Sequence, residues 1–306
     1  MTAKSETLGR LHEKEARSVH PFIGTVEFSD LAATTLKSDI PYVTSSNEKP
    51  AIVMALSGFS TTAYEDQSVF LFTTSQKDST FDLLCDTWLS RSANITRSIK
   101  ANWLELQHKH TGSGVWQHGE WISKKDDSAP TDCNTADAII EFAKPYDAAP
   151  EVVVFISGFH ADHRKHLRVK IGTDNITTTG FTLKVRTWDN SKLFNIKVSW
   201  IAYPADLPGV HSGSVNTNQF RTWENAQHIN MGYEAFPPGK FGKSPKVMVG
   251  FNVLDLACKK DQNIKAFVSN LSQVGMCWNT DSWGETVNYG AGLSYLAIAS
   301  EDSGQN

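Results

Sequence analysis

The chain has 306 residues, 40% of them apolar and 20% charged, with nine tryptophans and sixteen phenylalanines. That length suggests two or three globular domains, with rings enough to build their cores. A net charge of -4 and a pI near 6.2 exclude a general field for nucleic acid or anionic membrane.

The N-terminal stretch "MTAKSETLGRLHEKEARSVHPF" is charged and has no apolar signal core, so residues 1–20 read as an extension. No run reaches the roughly 18 apolar residues needed to span a bilayer. The expectation is a cytoplasmic protein without membrane insertion, reaching the outside only by unconventional release. Cys85, Cys133, Cys258 and Cys277 show no CxxC spacing, which points to reduced thiols acting as small hydrophobes.

Along the chain, apolar residues alternate in short runs, the mark of strands, and one set of runs recurs three times. "EKPAIVMALSGF", "AAPEVVVFISGF" and "KSPKVMVGFNVL" each open at a proline: Pro50, Pro150 and Pro245. "LLCDTW", "LKVRTW" and "WNTDSW" then end at Trp88, Trp188 and Trp283. Both landmarks step by 100 and then 95 residues. Closing strands follow in "IKANWLEL", "IKVSWIAY" and "AGLSYLAI". The Gly/Ser-rich joints "HKHTGSG" and "PGVHSGS" divide the chain into modules 21–107, 108–204 and 205–306.

Each closing strand is apolar on both faces at its end, as in Leu104 and Leu106, Ile201 and Tyr203, Leu296 and Ile298. Such a strand must be covered twice, and a neighbouring module is the natural second cover. The predicted fold is all-β: three tandem antiparallel six-stranded β-sandwiches in a pseudo-threefold arrangement. In "GFTLKVRTWDNSKLFNIKVSWIAYP", Trp188 has the opposite parity from Phe181, Leu183 and Val185. It therefore leaves the core face where its strand ends.

"HADHRKH" spaces His160, His163 and His166 by three, yet it lies between two strands beside Arg164 and Lys165. It reads as a hydrated loop, and no metal or cofactor is expected. The sequence has no Gly-x-Ser-x-Gly elbow and no phosphate-cradling loop, so no enzyme is expected.

Over "FAKPYDAAPEVVVFISGF", "HLRVKI" and "TTTGFTLKVRTWDNSKLFNIKVSWIAY" the chain resembles the H-type lectin family. The resemblance covers most of the second module, weakens in the third and is weakest in the first. It implies metal-free binding of galactose-type sugars, chiefly N-acetylgalactosamine, and a trimer-like ring closed within one chain. Glycans ending in these sugars are then the partners, met near module boundaries. By resemblance, Arg168 takes the family's arginine place, Trp188 and Asp189 its Trp-polar pair, and Phe194 the following aromatic. The polar member is often histidine in the family, so Asp189 is a departure. Asp132 takes the early-loop aspartate. In module three the same places fall to Asn225, Lys265, Trp283 with Gly284, and Tyr289. Module one keeps Trp88 but has Ser68 and Leu89 where the arginine and polar residue belong, a degenerate copy.

An exposed ring covers a sugar's C–H face while fixed carboxylate and guanidinium groups meet its hydroxyl rim. The resemblance therefore implies a multivalent lectin. The alternative reading is a protein-binding sandwich scaffold whose sugar sites have decayed.

Overall fold

The computed structural model describes residues 21–29, 31, 34–42, 49–87, 96–123 and 135–300. The first repeat supplies β1 (Phe22–Ser29), β2 (Thr34–Pro41), β3 (Ala51–Thr61), β4 (Gln67–Thr74), β5 (Thr80–Asp86) and β6 (Thr96–Leu106). The second supplies β7 (Gln117–Ile122), β8 (Thr135–Glu141), β9 (Glu151–Ala161), β10 (Leu167–Asp174), β11 (Gly180–Arg186) and β12 (Leu193–Tyr203). The third supplies β13 (Val210–Asn216), β14 (Met231–Ala235), β15 (Lys246–Leu256), β16 (Gln262–Ser269), β17 (Gly275–Ser282) and β18 (Asn288–Ile298). One-turn helices at His108–Thr111 and Thr217–Gln219 are the helical segments among the described residues.

The eighteen strands form three antiparallel six-stranded sheets, none closed into a barrel. No sheet belongs to one repeat. β2-β5-β4 continues into β9-β12-β7, β8-β11-β10 into β15-β18-β13, and β14-β17-β16 into β3-β6-β1. Each repeat thus gives three strands to each of two sheets, and the pairing closes on itself around the molecule. The continuity saves each half-sheet from ending in an unpaired inner edge.

Within a repeat the two half-sheets meet across an apolar core, as where Phe81 of β5 meets Trp103 of β6 and Phe181 of β11 meets Trp200 of β12. The alternation in β11 puts Phe181, Leu183 and Val185 into that core. Trp103, Trp200 and Tyr295 each lie across a glycine on the neighbouring strand, at Gly24, Gly119 and Gly213. A Cβ on these glycines would stand 2.2, 2.7 and 2.7 Å from the ring, so the ring needs the missing side chain.

A second core lies where the repeats meet. It collects Leu104 and Leu106, Ile201 and Tyr203, and Leu296 and Ile298 from the three closing strands. The two-faced strands are therefore covered twice. At its centre Ala55, Phe155 and Gly250 occupy one repeat position three times over. A Cβ on Gly250 would come within 2.5 Å of Ala55 Cβ and 3.0 Å of Phe155 Cδ1, so one large ring fills space the other two leave.

Candidate functional site

A charged junction joins β10 of the second repeat to β15 of the third. Arg168 stands opposite Asp255 there, and its Nε donates to Asp255 Oδ1 at 3.0 Å. Its Nη1 donates to Asp189 Oδ2. The Trp188 side chain also lies near enough to Asp255 to favour its charged form. One half-buried carboxylate thus faces the guanidinium and the indole together. Burial would lower the arginine's pKa, but Asp189 and Asp255 reverse this and raise it. Burial raises the Asp255 carboxyl above its ordinary value, against the pull of Arg168. Arg168 holds the Asp189 carboxyl low.

The turn after β11 aims Trp188. Ser191 Oγ accepts from the Arg168 backbone N at 3.0 Å and donates to His166 O at 2.7 Å, tying the turn to the start of β10. Asp189 sits in the left-handed region at φ 53°, and its counterpart Gly284 at φ 66°. Aspartate, asparagine, histidine and glycine tolerate that region best, which accounts for the residue types at this place. Trp188 stays 37% exposed.

The opposite wall is the segment after β13. Arg221 is buried and donates to Asn230 Oδ1 at 2.6 Å, Tyr289 O at 2.7 Å and Asn288 O at 3.0 Å, pinning this segment onto β18. Burial lowers its pKa. Trp223 is 59% exposed and meets Tyr289 edge-on. Between the walls lies a cleft of about 570 Å³ lined by Arg168, Trp188, Asp255, Asn218, Arg221 and Trp223, among others. That falls within the usual range of ligand clefts. Gly290 lies on its floor: a Cβ there would sit 3.5 Å from Thr217 Oγ1 and 3.6 Å from Asn218 Oδ1.

The structure regroups the residues picked from sequence. Arg168, Trp188 and Asp189 come together. Phe194 does not join them; it packs on His160, 4.4 Å between ring centroids, at the junction with the first repeat. Tyr289 leaves Trp283 and joins the Arg168 junction through His166 at 5.6 Å and through Trp223. Each aromatic serves the junction of its own repeat with the preceding one, because the closing strand and the Trp turn of a repeat end at different junctions. Asn225 is exposed and does not line the cleft; Asn216 and Asn218 of the same segment do. Asp132 and Trp88 lie outside the described residues.

Lys265 does not hold the arginine place. It pairs with Gly58, while Asn263 pairs with Ser60 in the register that Arg168 shares with Asp255. The Lys265 ammonium lies 4.8 Å from the Phe267 ring instead. Ser60 Oγ donates to Asn263 Oδ1 at 2.6 Å, Asn263 Nδ2 donates to Trp283 O at 3.3 Å, and Trp283 is 41% exposed. At the remaining junction Ser68 faces His160.

The "HADHRKH" segment is more built than a hydrated loop. Asp162 is buried and bound by the Arg164 guanidinium through two hydrogen bonds, at 2.9 and 2.7 Å, and by the Arg164 backbone N at 2.9 Å. His163 Nδ1 lies 2.8 Å from Asp66 Oδ1 of the first repeat. Asp66, Asp162 and His163 are close enough together to hold a metal ion, but the bidentate arginine already occupies Asp162.

Sequence reasoning missed Asp255, Arg221 and Trp223. Asp255 was within reach, since it lies one 95-residue step after His160, but nothing marked that position as facing Arg168.

The family model of the H-type lectin domain matches residues 138–203 and again 235–298. The chain carries two H-type lectin domains. The H-type lectin domain is a carbohydrate-binding domain. The first repeat lies outside the matched segments but has the same strand layout. The chain is also 32% identical over 63 residues to a protein of Fuscovulum blasticum described as "ATP synthase subunits region ORF 7". That match takes in 21% of this chain and 55% of the relative, so the chain spans about half the relative's length. No helix among the described residues is long and apolar enough to cross a membrane.

Proposed function

We propose that this lectin binds galactose-type sugars, most strongly N-acetylgalactosamine, at the junction of β10 and β15. The observation that carries the reading is the triad in which Asp255 faces both Arg168 and Trp188 beside an open cleft. Trp188 covers the apolar C–H face of the ring, while Arg168 donates to its hydroxyls and Asp189 accepts from them. Such ion–dipole hydrogen bonds are directional enough to separate axial from equatorial hydroxyls.

Trp283 beside Asn263 forms a second, weaker site. Two linked sites raise avidity by about 10²–10⁴ when a surface presents matching sugars. In this reading the three modules 21–107, 108–204 and 205–306 act as a pseudo-trimer within one chain.

The test is agglutination of glycan-bearing cells. Free N-acetylgalactosamine or galactose is expected to inhibit it, and the Trp188→Ala, Arg168→Ala double variant to lose it. An unchanged titre in that variant rejects the site. The neutral pair at Asn263 and Ser60 favours a second reading for that junction alone, as a packing contact. A glycan-binding defect confined to Trp188 and Arg168 variants, absent from Trp283→Ala, would decide for it.

A further inference from the structure

Alternation along β10 buries Leu167, Val169 and Ile171 and turns Arg168 and Lys170 outward on one face. Two residues apart on a strand, the pair is separated by about 7 Å. Both line the cleft, and Arg221 lines it from the opposite wall; Asp255 is the carboxylate among the lining residues. Arg168 has Asp255 on Nε and Asp189 on Nη1, while its Nη2 bonds to nothing among the described residues and is not buried. The acceptors around Arg221 are uncharged: Asn230, Thr222, Tyr289 and Asn288.

Lys170 differs from both arginines. Its ammonium is exposed and makes no hydrogen bond or ion pair among the described residues. Its cross-strand neighbours are Val253 on β15 and Arg186 on β11, so one cannot pair with it and the other repels it. Asp137 pairs with Arg186 and Lys184 instead. The third repeat fills the same place differently. Lys265, one 95-residue step later, stands opposite Asp281 on β17, with its ammonium over the Phe267 ring. Arg168 Nη2 and Lys170 Nζ only donate hydrogen bonds. A neutral hydroxyl can receive one of them but must place its own hydrogen elsewhere. A carboxylate or sulfate oxygen only accepts, and its bonds are charge-assisted.

We infer that the glycan bound here carries an anionic oxygen group, a sulfate ester or a carboxylate, which sits between Arg168 Nη2 and Lys170 Nζ beside the galactose-type ring. The inference rests on the sugar reading proposed above and narrows the ligand to acidic glycans. The chain as a whole carries a net charge of -4, so the attraction belongs to the cleft and not to the surface at large.

The experiment is titration calorimetry of the full chain with N-acetylgalactosamine and its sulfate monoesters, and with galactose and galacturonic acid. The readout is the ratio of acidic to neutral affinity within each set. At least one ratio is expected to reach about ten, the gain of a hydrogen bond to a charged group. That ratio should shrink as salt is raised from about 0.05 to about 0.5 M. A gain with a sulfate monoester assigns a sulfate group, and a gain with galacturonic acid assigns a carboxylate. Lys170→Gln, at an exposed position, is expected to bring the ratio to about one, and Lys170→Arg to keep it. Ratios near one throughout overturn the inference, as does a ratio that Lys170→Gln leaves unchanged. Absence of binding by neutral and acidic sugars alike overturns the sugar reading itself, which separates the two failures.

Discussion

Arg168 and Asp255 stand opposite one another on strands from different repeats, 3.0 Å apart between Nε and Oδ1. The ion pair therefore forms only where the second and third repeats are joined into one sheet. Removing its acid leaves the arginine with Asp189 alone.

Asp255→Asn is expected to weaken N-acetylgalactosamine binding about tenfold or more, the loss of at least one hydrogen bond to a charged group. It is also expected to lower stability by about 2 kcal/mol, since Arg168 loses a partner in a largely buried place. Calorimetric titration and urea denaturation read the two effects separately. Wild-type affinity in this variant would show that the triad does not orient the site.

The acid side of the pH profile should separate binding from folding. Burial raises Asp255 above 3.8, while Arg168 holds Asp189 below it, so Asp255 takes up its proton first as pH falls. Neutral Asp255 lets go of Arg168, and binding declines. Because its folded pKa is raised, that proton favours the folded state; the stabilisation is complete below 3.8 and is lost as pH rises through the folded value. Asp162 has the opposite sign. Arg164 holds it at about 2, so its stabilisation is present above 3.8 and is lost as pH falls toward 2. Sugar binding should begin to fail above pH 3.8 with circular dichroism still native. A binding curve flat down to the unfolding transition contradicts this.

Trp223→Ala should reduce sugar affinity by about two- to tenfold with thermal stability unchanged, because the ring is largely exposed. Trp188→Ala should cost more, since that ring also lies near Asp255. Equal affinity of Trp223→Ala and wild type would remove the second indole from the site.

At the centre of the molecule, Gly250→Val should destabilise by about 1–3 kcal/mol or more through overpacking against Ala55 and Phe155. Combining it with Phe155→Ala should restore part of that loss, because the two residues share one space. Additive effects in the double variant, followed by denaturant midpoints, would argue that the positions do not meet.

Much of the fold was legible because the alternation of apolar residues and the proline and tryptophan landmarks are local. The repeated steps of 100 and 95 residues marked corresponding strands, and the two-faced closing strands foretold a second core. Trp188 was legible too, since parity at a strand end decides on which side a ring emerges. Lys265 misled because it matches arginine in charge; only the strand register showed Asn263 in that place.

By itself the sequence determined the strands, their threefold recurrence and the tryptophan left outside its core, each of which depends on neighbours within a few residues. Only the tertiary structure decided which repeat meets which, and so put Asp255 beside Arg168 and took Phe194 away from Trp188. The reason is that sheet register between repeats is set by edge pairing and core packing across separations of about 90 residues, and no local pattern encodes it.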